Sequence, residues 1–228
     1  MDLKAVIKRI PVLNSIAKYL YFTVLEPRTK FKGSEVYWRE RYETGQNSGE
    51  GSYNQLAQFK AEVINDFVVE HGINSVIELG CGDGNQLTLA NYPSYLGVDV
   101  SANALERCRE KFSGDDSKKF QLLDSEITPA ELGLSLDVIY HLVEDSVFYA
   151  HLSQLFESAT RFVIVYSSNT NEQAALQGSH VRHRKFTTWI EKELSDWVQV
   201  KHIPNKFPYK GDDRVGSFAD FYIFAKQR

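Results

Sequence analysis

The run Glu78-Leu79-Gly80-Cys81-Gly82-Asp83-Gly84-Asn85 sets a carboxylate before three glycines at alternate positions. Glycines where a strand meets a helix let backbone approach a ligand and aim amide N–H groups at an anion. A dinucleotide fingerprint, GxGxxG or GxGxxA, counted from Gly80 would need glycine or alanine at Asn85; the third glycine falls one place early, at Gly84. A second apolar run ends at Asp99. An ionised carboxylate there offers two acceptor oxygens and no donor, which suits the paired hydroxyls of a ribose. Asp124 follows a third run, placed to accept from an exocyclic amino group such as adenine's. Each acid alone could be an ordinary surface carboxylate; three at successive strand ends argue for a site.

Two more groups of residues bear chemistry. His141, Glu144 and Asp145 follow a fourth apolar run. The stretch 167–186 exceeds the ~12–15 residues beyond which a loop without structure of its own suggests function. It carries His180, Arg182, His183, Arg184 and Lys185, and Lys206, Lys210 and Arg214 follow in the next loop. Planar guanidinium groups grip phosphate or carboxylate in bidentate fashion, which points to an anionic ligand. The alternative is a solvated polar loop balanced by acids such as Asp212 and Asp213. That adjacent pair lacks a third placed ligand, so no obligatory metal is expected.

Alternating elements are needed to hold these residues. Residues 54–70 predict an amphipathic helix with Leu56, Phe59, Val63, Phe67 and Val68 on one side, stopped by His71-Gly72. Strands are expected at 75–79, 95–100, 119–123, 136–142 and 161–167. The glycine run opens a helix, and further helices span 102–112, 146–159 and 187–195. Such alternation gives parallel strands with crossover helices. The chain then breaks rhythm, with strands 197–203 and 217–225 and no room for a helix between them. They should pair antiparallel. The expected fold is a doubly wound, seven-stranded, mostly parallel α/β sheet with an antiparallel C-terminal pair and an N-terminal helical extension. Residues 1–53 form the extension and 54–228 the domain.

Composition sets limits on partners. The 228 residues carry a net charge of −4, with 43% hydrophobic and 25% charged residues, which is ordinary for a globular chain. That balance argues against nucleic acid, whose binding needs a basic field. Six basic residues against two acidic ones leave +4 in residues 1–30 and −8 in the remainder. Two cysteines, Cys81 and Cys108, fit a reducing cytoplasm better than a disulfide framework. The apolar run 10–25 is short of the ~20 residues that span a bilayer and is interrupted by Lys18. Leu3, Val6, Ile7, Ile10, Leu13, Ala17, Leu20 and Val24 form one helical stripe. Residues 1–25 therefore either lie on an anionic inner-membrane surface or pack on this domain or a second subunit, as in a homodimer; the packing reading is preferred.

The motifs in order resemble the class I S-adenosylmethionine-dependent methyltransferases: ELGCGDG the glycine motif, YLGVDVS the ribose strand, LLDSE the adenine contact, LDVIYHLVED the segment bordering cofactor and acceptor. The likeness covers roughly residues 54–228. It implies S-adenosylmethionine as cofactor. Gly80, Cys81 and Gly82 would lie at its methionine portion, with Glu78 orienting the loop or reaching the amino group. Asp99 with Val100 would hold the ribose, and Asp124 with Ser125 the adenine. YWRERY resembles the lid of several small-molecule methyltransferases, so Trp38 and Tyr42 would cover the cofactor or else pack in the core. His141 falls at the acceptor-facing position and is the first choice of base, ahead of Glu144 and Asp145. The stretches YWRERYETGQNSGEGSY, KAEVINDFV and HIPNKFPYKGDD are similar to bacterial methyltransferases encoded among cell-surface polysaccharide genes. The expected reaction is methyl transfer to a small-molecule or glycan acceptor, a hydroxyl on an anionic sugar gripped by His180, Arg182, His183 and Arg184. An NAD-dependent oxidoreductase and a noncatalytic cofactor-binding partner of a glycan-assembly complex are the alternatives.

Overall fold

A computed structural model of the chain describes residues 31–174 and 177–227. The stripe expected in residues 1–25 lies outside them. Among the described residues no helix is long and apolar enough to cross a membrane.

Helix α1 (Ser34–Glu43) precedes α2 (Asn54–Glu70), and strand β1 (Val76–Leu79) follows. Then come β2 (Tyr95–Asp99), α3 (Ala102–Lys111), β3 (Lys118–Leu122) and β4 (Ala130–Leu136). Helix α4 (Asp145–Glu157), β5 (Ala159–Ser167), α5 (Phe186–Glu193), β6 (Trp197–Ile203) and β7 (Asp220–Lys226) complete the chain. The seven strands form one sheet in the order β3-β2-β1-β4-β5-β7-β6. The first five run parallel, and β7 lies antiparallel between β5 and β6. A dinucleotide-binding sheet runs 3-2-1-4-5-6 without such an inserted strand, so the topology speaks against the oxidoreductase alternative.

Both faces of the sheet are covered: all four residues of β1, the carboxylate Glu78 included, are buried. Side chains alternate between the faces. Ile164 and Tyr166 of β5 join Phe59, Phe67 and Leu105 from α2 and α3. Val163 and Val165 join Phe148, Leu152 and Phe186 from α4 and α5.

Two expectations are corrected. The glycine run opens no α-helix; it leads to a single 3₁₀ turn, Gln86–Leu89. Ten residues separate Gly84 from Tyr95, and Pro93 disfavours helix just before it. Strand β4 lies at 130–136, not 136–142. Asp137, with φ of 61°, leaves the strand conformation, and Ile139–His141 form another 3₁₀ turn. The true strand, AELGLSL, has low β propensity but needs its small residues. A Cβ on Gly133 would stand 3.1 Å from that of Ala159 and 3.3 Å from the Leu155 carbonyl oxygen.

Candidate cofactor-binding site

The C-terminal ends of β1, β2 and β4 converge on a cavity of about 370 Å³. Three strand-end carboxylates, Glu78, Asp99 and Asp137, face it. At its base the Gly82 N–H donates to Asp99 Oδ2 and the Ser101 N–H to Oδ1, each at 2.9 Å. Burial raises the Asp99 carboxyl above its ordinary value, against the pull of these backbone donors. Tyr95 donates its hydroxyl to Glu78 Oε2 at 2.6 Å. Asp137 meets Lys60, a fully buried lysine of α2, at 2.6 Å, and Tyr140 donates to its other oxygen at 2.9 Å.

The lid is α1 and the loop after it. Trp38 and Tyr42 both line the cavity. Ser34 at the start of α1 donates its N–H and its hydroxyl to Glu144, at 2.9 and 2.6 Å. Arg107 of α3 donates to the Tyr42 and Gln46 carbonyls, both at 2.6 Å. The Ser48 N–H donates to Asp83 Oδ2 and the Asp83 N–H to Ser48 Oγ, each at 3.0 Å. This joins lid to glycine loop so closely that only glycine fits at 82. With φ of +58°, a Cβ there would lie 2.4 Å from Ser48 Oγ and 2.8 Å from the Tyr42 hydroxyl.

Glu78, Gly80, Cys81, Gly82, Asp99 and Val100 line the same cavity as the two lid aromatics. Cys81 and Cys108 are both free and buried. Asp124 and Ser125 do not line it and are exposed. His141 does not line it either. Its ring lies 4.9 Å from Trp38 and 5.3 Å from His180, which stacks in turn on Tyr37 at 4.5 Å. Burial, with His180 and Arg41 nearby, pushes the His141 ring down to about 3. A base so enclosed and so weak is poorly placed to take a proton, and the expectation for it is withdrawn. Glu144 is committed to Ser34, and Asp145 to Arg182 and Arg184, each at 3.0 Å.

The loop residues expected to grip an anion are largely engaged with the protein. Arg184 donates to the Leu142 and Val143 carbonyls at 2.8 and 2.6 Å, and Arg182 to that of Val143 at 3.0 Å. Guanidinium type gave the expectation; local carbonyls and Asp145 use the donors instead. His183 keeps one ring nitrogen on Ser168 Oγ at 2.7 Å. Among the described residues no three His, Cys, Asp or Glu side chains are grouped to hold a metal ion.

No protein-family model and no curated protein matches the chain in sequence. Solved structures do. The methyltransferase domain of bacterial CtHen1 matches at 25% identity, covering 75% of this chain and all of its own, with a TM-score of 0.55. The N-methyltransferase NodS of Bradyrhizobium japonicum, with bound S-adenosyl-L-homocysteine, is 12% identical over 86% of this chain and all of its own, at 0.65. The magnesium protoporphyrin IX methyltransferase ChlM of Synechocystis is 16% identical over 94% and all, at 0.56. The chain has the class I S-adenosylmethionine-dependent methyltransferase fold. The NodS and ChlM structures hold S-adenosyl-L-homocysteine, so S-adenosylmethionine is the cofactor against which this cavity is compared.

The residues present fit that cofactor, whose sulfonium and ammonium outweigh its one carboxylate. Glu78, Asp99 and Asp137 face the cavity against one cation, Lys60. Gln86, nine-tenths buried in its wall, donates to the Ala57 carbonyl, while its Oε1 has no partner among the described residues. An unpaired buried acceptor fits an ammonium donor. Sequence reasoning missed Lys60, Asp137 and Gln86. A lysine four residues after Leu56 and four before Ile64, on the apolar face of α2, was the available signal.

Burial lifts the Glu78 carboxyl from 4.5 to about 7, opposed by the Tyr95 hydroxyl and Lys60. The raised value means that the proton on Glu78 stabilises the ligand-free protein at low pH. That contribution is full below 4.5 and is lost as pH climbs through about 7. An ammonium beside Glu78 favours the opposite, charged form. Affinity for S-adenosylhomocysteine should therefore rise about tenfold between about pH 6 and about pH 8, and Glu78→Gln should flatten the rise. Calorimetric titration across that range checks it.

Proposed function

We propose that the protein transfers a methyl group from S-adenosylmethionine to a hydroxyl of a saccharide-type acceptor. The observation that carries this reading is an aromatic shelf beside Asp137. Phe218 packs edge-on against Tyr140 at 4.9 Å and against Tyr209 at 6.3 Å. Phe218 and Tyr209 remain 42% and 45% exposed. Neighbouring exposed rings suit the C–H face of a sugar. The resemblance to polysaccharide-associated methyltransferases supports the same acceptor class.

His183 stands edge-on to Phe218 at 4.7 Å, and Ser168 holds its Nδ1. Burial pushes its ring below the ordinary value, so it is neutral at neutral pH. Like His141, His183 does not line the cavity; it is proposed as proton acceptor because its ring flanks the exposed shelf. The cofactor, when bound, supplies a methyl group on a sulfonium leaving group, and transfer is an in-line displacement. His183 takes the hydroxyl proton as the oxygen–carbon bond forms and the sulfur–carbon bond breaks. The acceptor is proposed without an anionic group, because Arg182 and Arg184 are held by Asp145 and the loop carbonyls.

The test is release of S-adenosylhomocysteine with panels of sugar nucleotides, oligosaccharides, amines and RNA. Turnover with a saccharide is expected, and His183→Gln should lower kcat by about 10²–10⁴-fold. Turnover confined to amines or RNA would overturn the reading.

A further inference from the structure

Helix α1 lends Ser34, Glu35, Trp38 and Tyr42 to the cavity wall, yet little in its own sequence holds it there. Only Ser34 and Tyr42 of its ten residues are buried. A polar helix this short is marginal without tertiary support. Nor does it cap itself. Gly33, at the N-cap, has no side-chain acceptor to offer the first N–H groups.

The missing cap comes from the segment between β4 and α4. Glu144 accepts from the Ser34 N–H and hydroxyl, and a carboxylate is favoured at the positive end of a helix. The Val143 N–H donates to Ser34 Oγ at 2.9 Å. The fit is close: a Cβ on Gly33 would stand 2.8 Å from Glu144 Oε1. The capping segment is itself held by the loop after β5. Arg184, 9% exposed, directs its guanidinium to the Leu142 and Val143 carbonyls and to Asp145. Its Cζ lies 4.3 Å from the centre of the Phe148 ring, which fixes the fork in place. The same loop also touches α1 directly. His180 stacks on Tyr37 at 4.5 Å with the two rings 10° from parallel. Glu144, His180 and Arg184 are all outside the cavity lining, so any effect they have on a bound ligand passes through α1.

We infer that residues 180–184 strap α1 over the cavity, with Arg184 and His180 as positioning residues that set how slowly the spent cofactor leaves. The strap has two arms. Arg184 holds the carbonyls of the segment whose Glu144 caps α1, and His180 packs on the helix itself. Opening of a covering element is a common limit on product release. The inference rests on the cofactor assignment and is independent of the acceptor class.

The experiment is the dissociation rate of radiolabelled S-adenosylhomocysteine from the full chain, chased with excess unlabelled ligand. Arg184→Gln and Glu144→Ala should each speed release about tenfold or more, the effect of losing hydrogen bonds to a charged group. The double variant should be no more than about twofold faster than the faster single one, because both changes cut the same arm. His180→Ala should speed release about threefold, as loss of an aromatic pair implies, and decides the matter if Arg184→Gln does not fold. The rate is read from liganded molecules alone. A merely structural role would lower the amplitude and leave the rate unmoved. Unchanged rates in Arg184→Gln and His180→Ala overturn the inference, as does a double variant in which the two effects multiply. A wild type that binds no S-adenosylhomocysteine overturns the cofactor assignment and the inference with it.

Discussion

Asp99→Ala should abolish most of the stabilisation that S-adenosylhomocysteine gives the wild type. Two consequences of the substitution add. The ribose loses a carboxylate able to accept from both hydroxyls, and hydrogen bonds to a charged group contribute ~1.5–3 kcal/mol each. The Gly82 N–H and Ser101 N–H also lose their acceptor, and Ser101 caps α3 by accepting from the Ala104 N–H at 3.3 Å. The glycine loop is thus unpinned on the side that faces the ligand. Affinity should fall about a hundredfold or more, the equivalent of two weak charged hydrogen bonds. At a ligand concentration a hundred times the wild-type Kd, stabilisation drops from ~2.7 to ~0.4 kcal/mol. For a chain of this size that is a thermal shift falling from roughly 5–10 °C to roughly 1–2 °C. Unfolding curves with and without ligand read it directly, and equal shifts in both proteins would remove Asp99 from the ribose site.

Glu78 and Asp99 were legible from sequence because each closes an apolar run, and burial on both faces of a parallel sheet makes such runs conspicuous. Asp137 does the same work at the end of β4 but was hidden. Its strand, AELGLSL, is poor in β-branched residues, while the following DVIYHL looks more like a strand and instead forms a turn. The third strand-end carboxylate facing the cavity is therefore Asp137, where sequence had pointed to Asp124. Contacts between distant segments left no periodic trace. Ser48 and Asp83 are 35 positions apart, and Ser34 and Glu144 are 110 apart. Residue type was a fair guide to which side chains are polar, but not to whose donors are already used. His141 and Arg184 have the chemistry of a base and of an anion grip; rings and carbonyls from their own fold take up that capacity.

Lys60→Met should destabilise the protein by ~3–5 kcal/mol, the range for breaking a buried ion pair by removing one partner. The Lys60 side chain is fully buried and that of Asp137 is 12% exposed, so water from the cavity replaces the lost ammonium only in part. Asp137 cannot readily turn elsewhere. It sits at φ 61° where β4 ends, with Tyr140 donating to its second oxygen and Gly51 packed against it; a Cβ on Gly51 would lie 2.7 Å from Oδ2. Methionine fills the lysine's volume and keeps contact with Tyr166, whose ring centre lies 5.3 Å from Nζ. The deficit therefore reports the unpaired charge and not a cavity. The double variant Lys60→Met, Asp137→Asn removes both charges and leaves an amide that still accepts from Tyr140. It should recover most of the loss, because a neutral pair carries no uncompensated charge. Urea unfolding of the two single variants and the double variant gives the coupling. Additive losses would mean that the pair is not a unit and that Lys60 is held in the core by packing alone.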